Sequence, residues 1–151
     1  MKARLLLVVP LCVLMVRAAD DPPPVNDLKA IQGTWNLIGL EVNGKPLGDS
    51  VRGVGLKLMF KDDKVAFQGK SADKAAPLEG VFKIDPTKKP KEIETTVGKD
   101  TELGIYDLDG DNLKVCIARA GVTRPTKFET KEGDGVRLFI LKREVEKPKD
   151  K

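Results

Sequence analysis

From residue 33 onward the sequence has the pattern of successive β-strands. Short runs in which apolar and polar residues alternate are separated by turn residues. The run from Val54 to Lys61 is the clearest, because apolar residues at every second position from Val54 to Phe60 oppose Lys57 and Lys61. A period of two is that of a half-buried strand. The same reading gives eight strands, at Gly33–Val42, Val54–Lys61, Lys64–Gln68, Leu78–Ile84, Glu92–Val97, Leu103–Leu108, Asn112–Arg119 and Val136–Arg143.

Eight alternating strands with short connections form either a closed up-and-down barrel or a two-sheet sandwich. Closure removes the exposed sheet edges, and an eight-stranded interior is either just filled by side chains or holds one small ligand. We therefore predict an all-β, eight-stranded antiparallel up-and-down barrel. A short helical turn at Leu28 to Gln32, capped by Asn26-Asp27, is predicted to precede it.

The turn residues support the hairpins of this topology. Asn43-Gly44 is the pair that tolerates the positive φ angles of a type I′ turn. Asp62-Asp63 and Asp109-Gly110 are predicted to reverse the chain between neighbouring strands. Ala120 to Gly135 is predicted to be a long loop with a short extended piece near Phe128.

The first residues have the parts of a secretory signal. Lys2 and Arg4 precede an uncharged apolar run of 12 residues from Leu5 to Val16, and Ala18 ends a peptidase site. That run is shorter than the about 20 residues of a spanning helix. We therefore expect a signal peptide at 1–18, a linker at 19–27, the barrel at 28–144 and a flexible tail at 145–151. The mature chain is expected to be exported, periplasmic or extracellular, with no membrane span.

Two other interpretations of the N-terminus are less favoured. A buried N-terminal helix fits poorly, because Asp20-Asp21 and three prolines follow the apolar run at once. A lipoprotein signal would use Cys12, but the preceding residue is Leu11, and lipidation needs a small residue there.

Removal of the signal changes the charge and the cysteine content. The whole chain has 27 basic and 23 acidic residues, and the loss of Lys2, Arg4 and Arg17 leaves 24 against 23. Since a nucleic-acid-binding protein needs a clustered basic face, no nucleic-acid partner is predicted. Cys116 alone remains, so the mature chain has no intramolecular disulfide, and we expect this cysteine to be a small apolar residue in a strand.

The chain contains no histidine, which excludes His-based triads and most zinc or iron sites. Its two serines, Ser50 and Ser71, lie in polar segments with no neighbouring base. Asp107 to Asp111 resembles a calcium loop, but glycine comes at position 4 and Ala118 stands where glutamate is needed. An Asp-Gly hairpin explains the same residues. We predict no catalytic residues, no metal, no cofactor and no enzymatic activity.

Gly33-Thr34-Trp35 opens the first strand and resembles the Gly-x-Trp signature of lipocalins. In that fold the tryptophan closes one end of the barrel, and an arginine near the end of the last strand packs across it. The resemblance implies that Gly33, Trp35 and Arg143 form this structural signature. Alternation, however, places Val136, Leu138 and Ile140 on one face of the last strand and Arg143 on the other. A bulge or a different register is therefore needed to bring Arg143 to Trp35.

Further segments are similar to one family of small exported lipocalin-like domains, abundant in planctomycete bacteria and without established function. These segments are Leu28–Trp35, Glu41–Pro46, Gly80–Lys91, Gly104–Leu113, Arg124–Phe128 and Leu141–Arg143. The resemblance covers nearly all of the chain from residue 28 to residue 143. It implies the barrel and export, and it supplies no catalytic residues.

Two functions remain open at this point. In the first, the barrel binds a small apolar or amphipathic ligand. In the second, the barrel is filled and acts as a structural or protein-interaction module in the cell envelope, through its outer face or the loop from Ala120 to Lys131. An internal cavity of several hundred Å³ discriminates between them. The predicted ligand-binding residues are Leu56, Leu58, Phe60, Val65, Phe67, Phe82, Ile84, Ile93, Tyr106, Leu138 and Ile140.

Overall fold

The computed structural model describes residues 26–48, 51, 53, 55–69 and 77–145. The predicted signal peptide, the predicted linker up to residue 25, both serines, Val54 and the tail from residue 146 lie outside these ranges. The helical turn α1 spans Asp27–Ala30. The strands are β1 Gly33–Val42, β2 Lys45–Pro46, β3 Lys57–Lys61, β4 Lys64–Gln68, β5 Leu78–Asp85, β6 Lys91–Val97, β7 Asp100–Asp109, β8 Asn112–Ala118 and β9 Val136–Arg143.

The strands form a closed antiparallel barrel. Each of β3 to β8 pairs with the next strand along the chain, β1 pairs with β3, and β9 pairs back onto β1 to close the sheet. The two-residue strand β2 pairs only with β1, outside the ring of eight. The predicted all-β, eight-stranded up-and-down barrel is therefore confirmed, with one short additional strand. No helix within the described residues is long and apolar enough to span a membrane.

The structure confirms three local predictions, which concern the turn after β1, the cap of α1 and the turn between β7 and β8. Asn43 and Gly44 both have positive φ, 54° and 70°, as a type I′ turn requires, and Val42 pairs with Lys45 across it. Asn26 is the N-cap of α1, and its side-chain oxygen accepts a hydrogen bond from the Lys29 N–H. Asp109 and Asn112 form the last pair of the β7–β8 hairpin, which confirms the turn predicted there.

At one end of β8 and β9, near the connection 119–135, both faces of the barrel wall are apolar. Leu113, Val115 and Ile117 belong to the inner core, which also contains Trp35 and Phe60. A second, outer cluster lies beneath the connection 119–135. It is made of Ile105 from β7 and Cys116, Ala118, Val136 and Leu138 from β8 and β9, with Val122 and Phe128 packed against it. The connection therefore acts as a second apolar layer over one side of the barrel.

The set of β9 side chains that point into the barrel differs from the prediction. Leu138 belongs to the outer cluster, and Ile140 is 37% exposed beside Gly39 on the outside. Arg137 and Phe139 line the interior instead, and Leu141 belongs to the inner core. The placement of Leu138 and Ile140 in the interior was wrong. Alternation predicted the period of the strand correctly. It could not identify which face points into the barrel, because apolar residues occupy both faces of this strand.

The connection 119–135 is held to the barrel by polar contacts. Arg124 donates to the carbonyl oxygens of the cross-strand pair Ile93 and Gly104, at 2.9 and 2.5 Å, and to a carboxylate oxygen of Glu94 at 2.8 Å. Further along, the Thr130 hydroxyl donates to Glu41 at 2.8 Å and accepts from the Gly44 N–H at 2.8 Å. These contacts fix the layer that covers the outer cluster.

Candidate functional site

One end of the barrel, which we call the plugged end, is closed by Trp35 and Arg143. Trp35 is fully buried, and its indole N–H donates to the Ile31 carbonyl at 2.8 Å. The Arg143 guanidinium carbon lies 4.2 Å from the centroid of the Trp35 ring. Trp35 and Arg143 are also direct cross-strand partners between β1 and β9. The contact expected from the Gly-x-Trp signature is therefore present, without a bulge in β9.

The guanidinium of Arg143 also ties α1 to the barrel. It donates to the carbonyl oxygens of Ala30, the last residue of α1, and of Gln32, at 2.5 and 2.7 Å. Gly33 has a φ of 112°, and a Cβ there would lie 3.3 Å from the guanidinium. The signature residues thus form one packed unit at the plugged end.

A second polar cluster lies at the same end, around a buried carboxylate. Asp27 is 4% exposed, accepts from the Tyr106 hydroxyl at 2.7 Å and pairs with the Lys91 ammonium at 2.8 Å. Burial, and then the hydrogen bond to Asp27, raise the pKa of Tyr106 far above its ordinary value. The phenol is therefore a permanent donor that satisfies Asp27, and this cluster stabilises the plug.

The other end, which we call the distal end, contains an internal cavity of about 460 Å³. Strands β3 to β9 all contribute to its wall. Most of the lining is aliphatic or aromatic, with four polar residues among it. The lining is Leu56, Leu58, Phe60, Val65, Phe67, Leu78, Ile93, Thr95, Val97, Asp100, Glu102, Val115, Ile117, Arg137 and Phe139.

The polar residues of the cavity include an ion pair between β7 and β9, which passes over the inner face of the intervening strand β8. An Arg137 Nη donates to a Glu102 carboxylate oxygen at 2.5 Å, and each side chain is 29% exposed. The Arg137 guanidinium also lies 5.7 Å from the Phe139 ring centroid. Within the described residues, the buried Arg137 Nε has no hydrogen-bond partner. The arginine is thus held in place by Glu102 and Phe139 but retains an unused donor.

Six of the eleven residues predicted to bind a ligand line the cavity: Leu56, Leu58, Phe60, Val65, Phe67 and Ile93. Phe82 and Tyr106 are buried in the inner core towards the plugged end, and Ile84 packs against that core from a partly buried position. Leu138 and Ile140 lie on the outside of the barrel. The remaining lining residues were not in the predicted set.

A second hollow lies at the plugged end, between α1, the β3–β4 turn and the end of β5. It is larger but more open than the cavity, and Asp27, Gln32, Asp62, Phe82 and Ile84 are among its lining residues. Among the described residues that line this hollow, those on a strand all belong to β5. The cavity at the distal end, which is less open and is lined by seven strands, is therefore the better candidate for a ligand site.

Cys116 belongs to the outer cluster and is fully buried. Burial raises the pKa of its thiol to about 11, and the nearby carboxylates of Asp134 and Glu41 act in the same direction. The thiol lies 3.8 Å from the Glu129 carbonyl oxygen. A protonated, inaccessible thiol lacks the thiolate character that reactive cysteines need.

No family model, curated protein or solved structure matches the chain.

Proposed function

We propose that the mature chain is an exported lipocalin-like barrel that binds a small apolar or amphipathic ligand in the cavity at its distal end. The observation that carries this proposal is the cavity itself. Its volume of about 460 Å³ lies within the about 300–1,000 Å³ that small-molecule sites occupy. A mostly apolar wall with a few polar groups is also the usual composition of such sites.

The cavity weighs against the alternative of a filled barrel that serves only as an interaction module. The plugged end is packed by Trp35, Ile31 and Phe82, so the same barrel contains both a filled half and a hollow half. A barrel built only for rigidity gains from filling both halves, because each unfilled volume forgoes packing contacts. We propose a binding role without catalysis, in line with the absence of histidine from the chain.

The proposed export and the relationship to the exported lipocalin-like family rest on the sequence. The basic start, the apolar run and the Ala18 peptidase site support the export, and the Gly33-Thr34-Trp35 signature with its downstream segments supports the relationship.

Mass spectrometry of the protein purified from the organism that encodes it tests both parts of the proposal. We expect the denatured mass to correspond to a chain that begins at Ala19, in the fraction outside the cytoplasm. The native mass is expected to exceed that value by the mass of a small molecule. A chain that retains Met1 and stays in the cytoplasm would contradict export. A bare polypeptide mass that does not increase when decanol is added would contradict the binding role.

A further inference from the structure

The polar side of the cavity carries unbalanced formal charge. Its described lining contains one guanidinium, that of Arg137, and two carboxylates, those of Asp100 and Glu102. Asp100 and Glu102 are two residues apart on β7 and therefore lie on the same face of the strand. A ligand in the cavity meets a lining with a formal charge of −1.

This charge pattern disfavours an anionic head group. A ligand carboxylate would have to share Arg137 with Glu102, which already accepts from its Nη at 2.5 Å. The second carboxylate, Asp100, adds further repulsion, although its exposure lets solvent screen part of the effect. Like charges placed together at a binding site oppose binding strongly.

A cationic head group is disfavoured for a different reason. An ammonium could approach Glu102, but it would meet the Arg137 guanidinium that occupies the same carboxylate. It would also lose its hydration inside a mostly apolar wall, which is costly for a charged group.

An uncharged hydroxyl group matches the hydrogen-bonding capacity that remains. Arg137 has more donors than its bond to Glu102 uses, and its Nε lacks a partner within the described ranges. A carboxylate has several lone-pair positions, so Glu102 can accept from a ligand while it keeps its ion pair. A hydroxyl both accepts and donates, and it adds no charge.

We infer that the cavity binds an amphipathic molecule with an uncharged, hydroxyl-bearing head group, and that the Arg137–Glu102 pair selects it over the corresponding carboxylate. This inference rests on the proposed binding function. It assigns Glu102 a role in specificity, namely the exclusion of anionic amphiphiles.

The test is a displacement titration on the mature chain. The neutral fluorophore N-phenyl-1-naphthylamine is bound first and then displaced at pH 7 by decanol, decanoate or decylamine, which share one alkyl chain. We expect decanol to displace the probe at the lowest concentration. Since decanol also leaves water more readily than the two ions, the decisive quantity is how the decanoate-to-decanol ratio of apparent Kd values changes on mutation.

Glu102→Gln is expected to improve decanoate binding by about tenfold relative to decanol, because it removes a negative charge and keeps an acceptor. Asp107→Asn is the matched control, since Asp107 is an exposed carboxylate on the same strand but outside the cavity lining. The control is expected to leave the ratio unchanged. Asp100→Asn removes the exposed carboxylate of the lining and is expected to shift the ratio in the same direction by a smaller factor.

The outcomes separate the two proposals. If the probe and the alkyl compounds bind but decanoate displaces the probe from the wild type as well as decanol does, only the inference about the head group is overturned. Equal ratios for Glu102→Gln and Asp107→Asn would overturn it too. If Glu102→Gln does not fold, an unchanged ratio for Asp100→Asn has the same meaning. If neither the probe nor any alkyl compound binds, the proposed function fails and the inference fails with it.

Discussion

Arg143→Met is expected to lower the free energy of unfolding by about 3 kcal/mol. The guanidinium stacks 4.2 Å from the Trp35 ring centroid and donates to two carbonyl oxygens at the end of α1. Methionine preserves much of the apolar stem but removes the cation–π contact, worth about 0.5–2 kcal/mol, and leaves part-buried carbonyls without their donor. The bond to Asp111, at an exposed carboxylate, adds little.

Urea unfolding followed by tryptophan fluorescence measures this effect, because the single tryptophan is the residue that Arg143 covers. Lys142→Met is the matched control, since it removes a positive charge from the neighbouring, exposed position of β9. The control is expected to change stability by less than about 0.5 kcal/mol. Equal effects of the two substitutions would contradict the account of the plugged end.

Gly104→Ala is expected to destabilise the barrel by about 2 kcal/mol. A Cβ at this position would lie 2.6 Å from the Cys116 carbonyl oxygen and 3.1 Å from the Ile117 Cα. Both are backbone atoms of β8, so relief requires β7 and β8 to move apart. Arg124 also donates to the Gly104 carbonyl, and a shift of β7 would disturb that contact of the connection 119–135.

Gly53→Ala provides the comparison for this substitution. Within the part of the chain that the structure describes, a Cβ at Gly53 would have no heavy atom within 4 Å, and the φ of Gly53 is not in the left-handed region. Thermal unfolding is expected to show a loss for Gly104→Ala and no loss for Gly53→Ala. A Gly104→Ala protein with the melting temperature of the wild type would show that β7 and β8 do not approach as closely as described.

The strands and the β1–β2 turn could be predicted because their signals are local. Alternation located every strand of the ring, and Asn43-Gly44 specified its own turn. Trp35 and Arg143 meet because antiparallel pairing of the first and last strands brings them together. This contact joins the two ends of the chain and was expected from the resemblance to the Gly-x-Trp signature, whereas the strands and the turn need only neighbouring residues.

The cavity wall was predicted only in part, because it depends on what covers the outer face. Val115, Ile117 and Phe139 line it, yet Cys116 and Leu138 are equally apolar and face outwards beneath the connection 119–135. A long loop gives no local signal that it will cover one side of a barrel. Hydrophobic alternation therefore could not decide which face of β8 or β9 was the inner one.

Glu102 was missed for a different reason. The segment 98–102 was expected to lie outside the strands, whereas β7 begins at Asp100 and pairs with Val97 across a tight turn. Gly98, with a φ of 61°, carried the signal for that turn. A two-residue turn there extends the β7 alternation backwards from Tyr106 and places Glu102 and Asp100 on the inner face.

The most direct test of the proposed binding role is to fill the cavity and measure binding. Val115 lines the cavity from the middle of β8, and Val81 is an exposed residue on the outside of β5. In a titration with N-phenyl-1-naphthylamine, Val115→Phe is expected to weaken binding by about tenfold or more, because the added ring occupies space that the probe needs. Val81→Phe, the same change outside the barrel, is expected to bind the probe like the wild type. If Val115→Phe stays folded and binds the probe as tightly as Val81→Phe, the cavity is not the binding site.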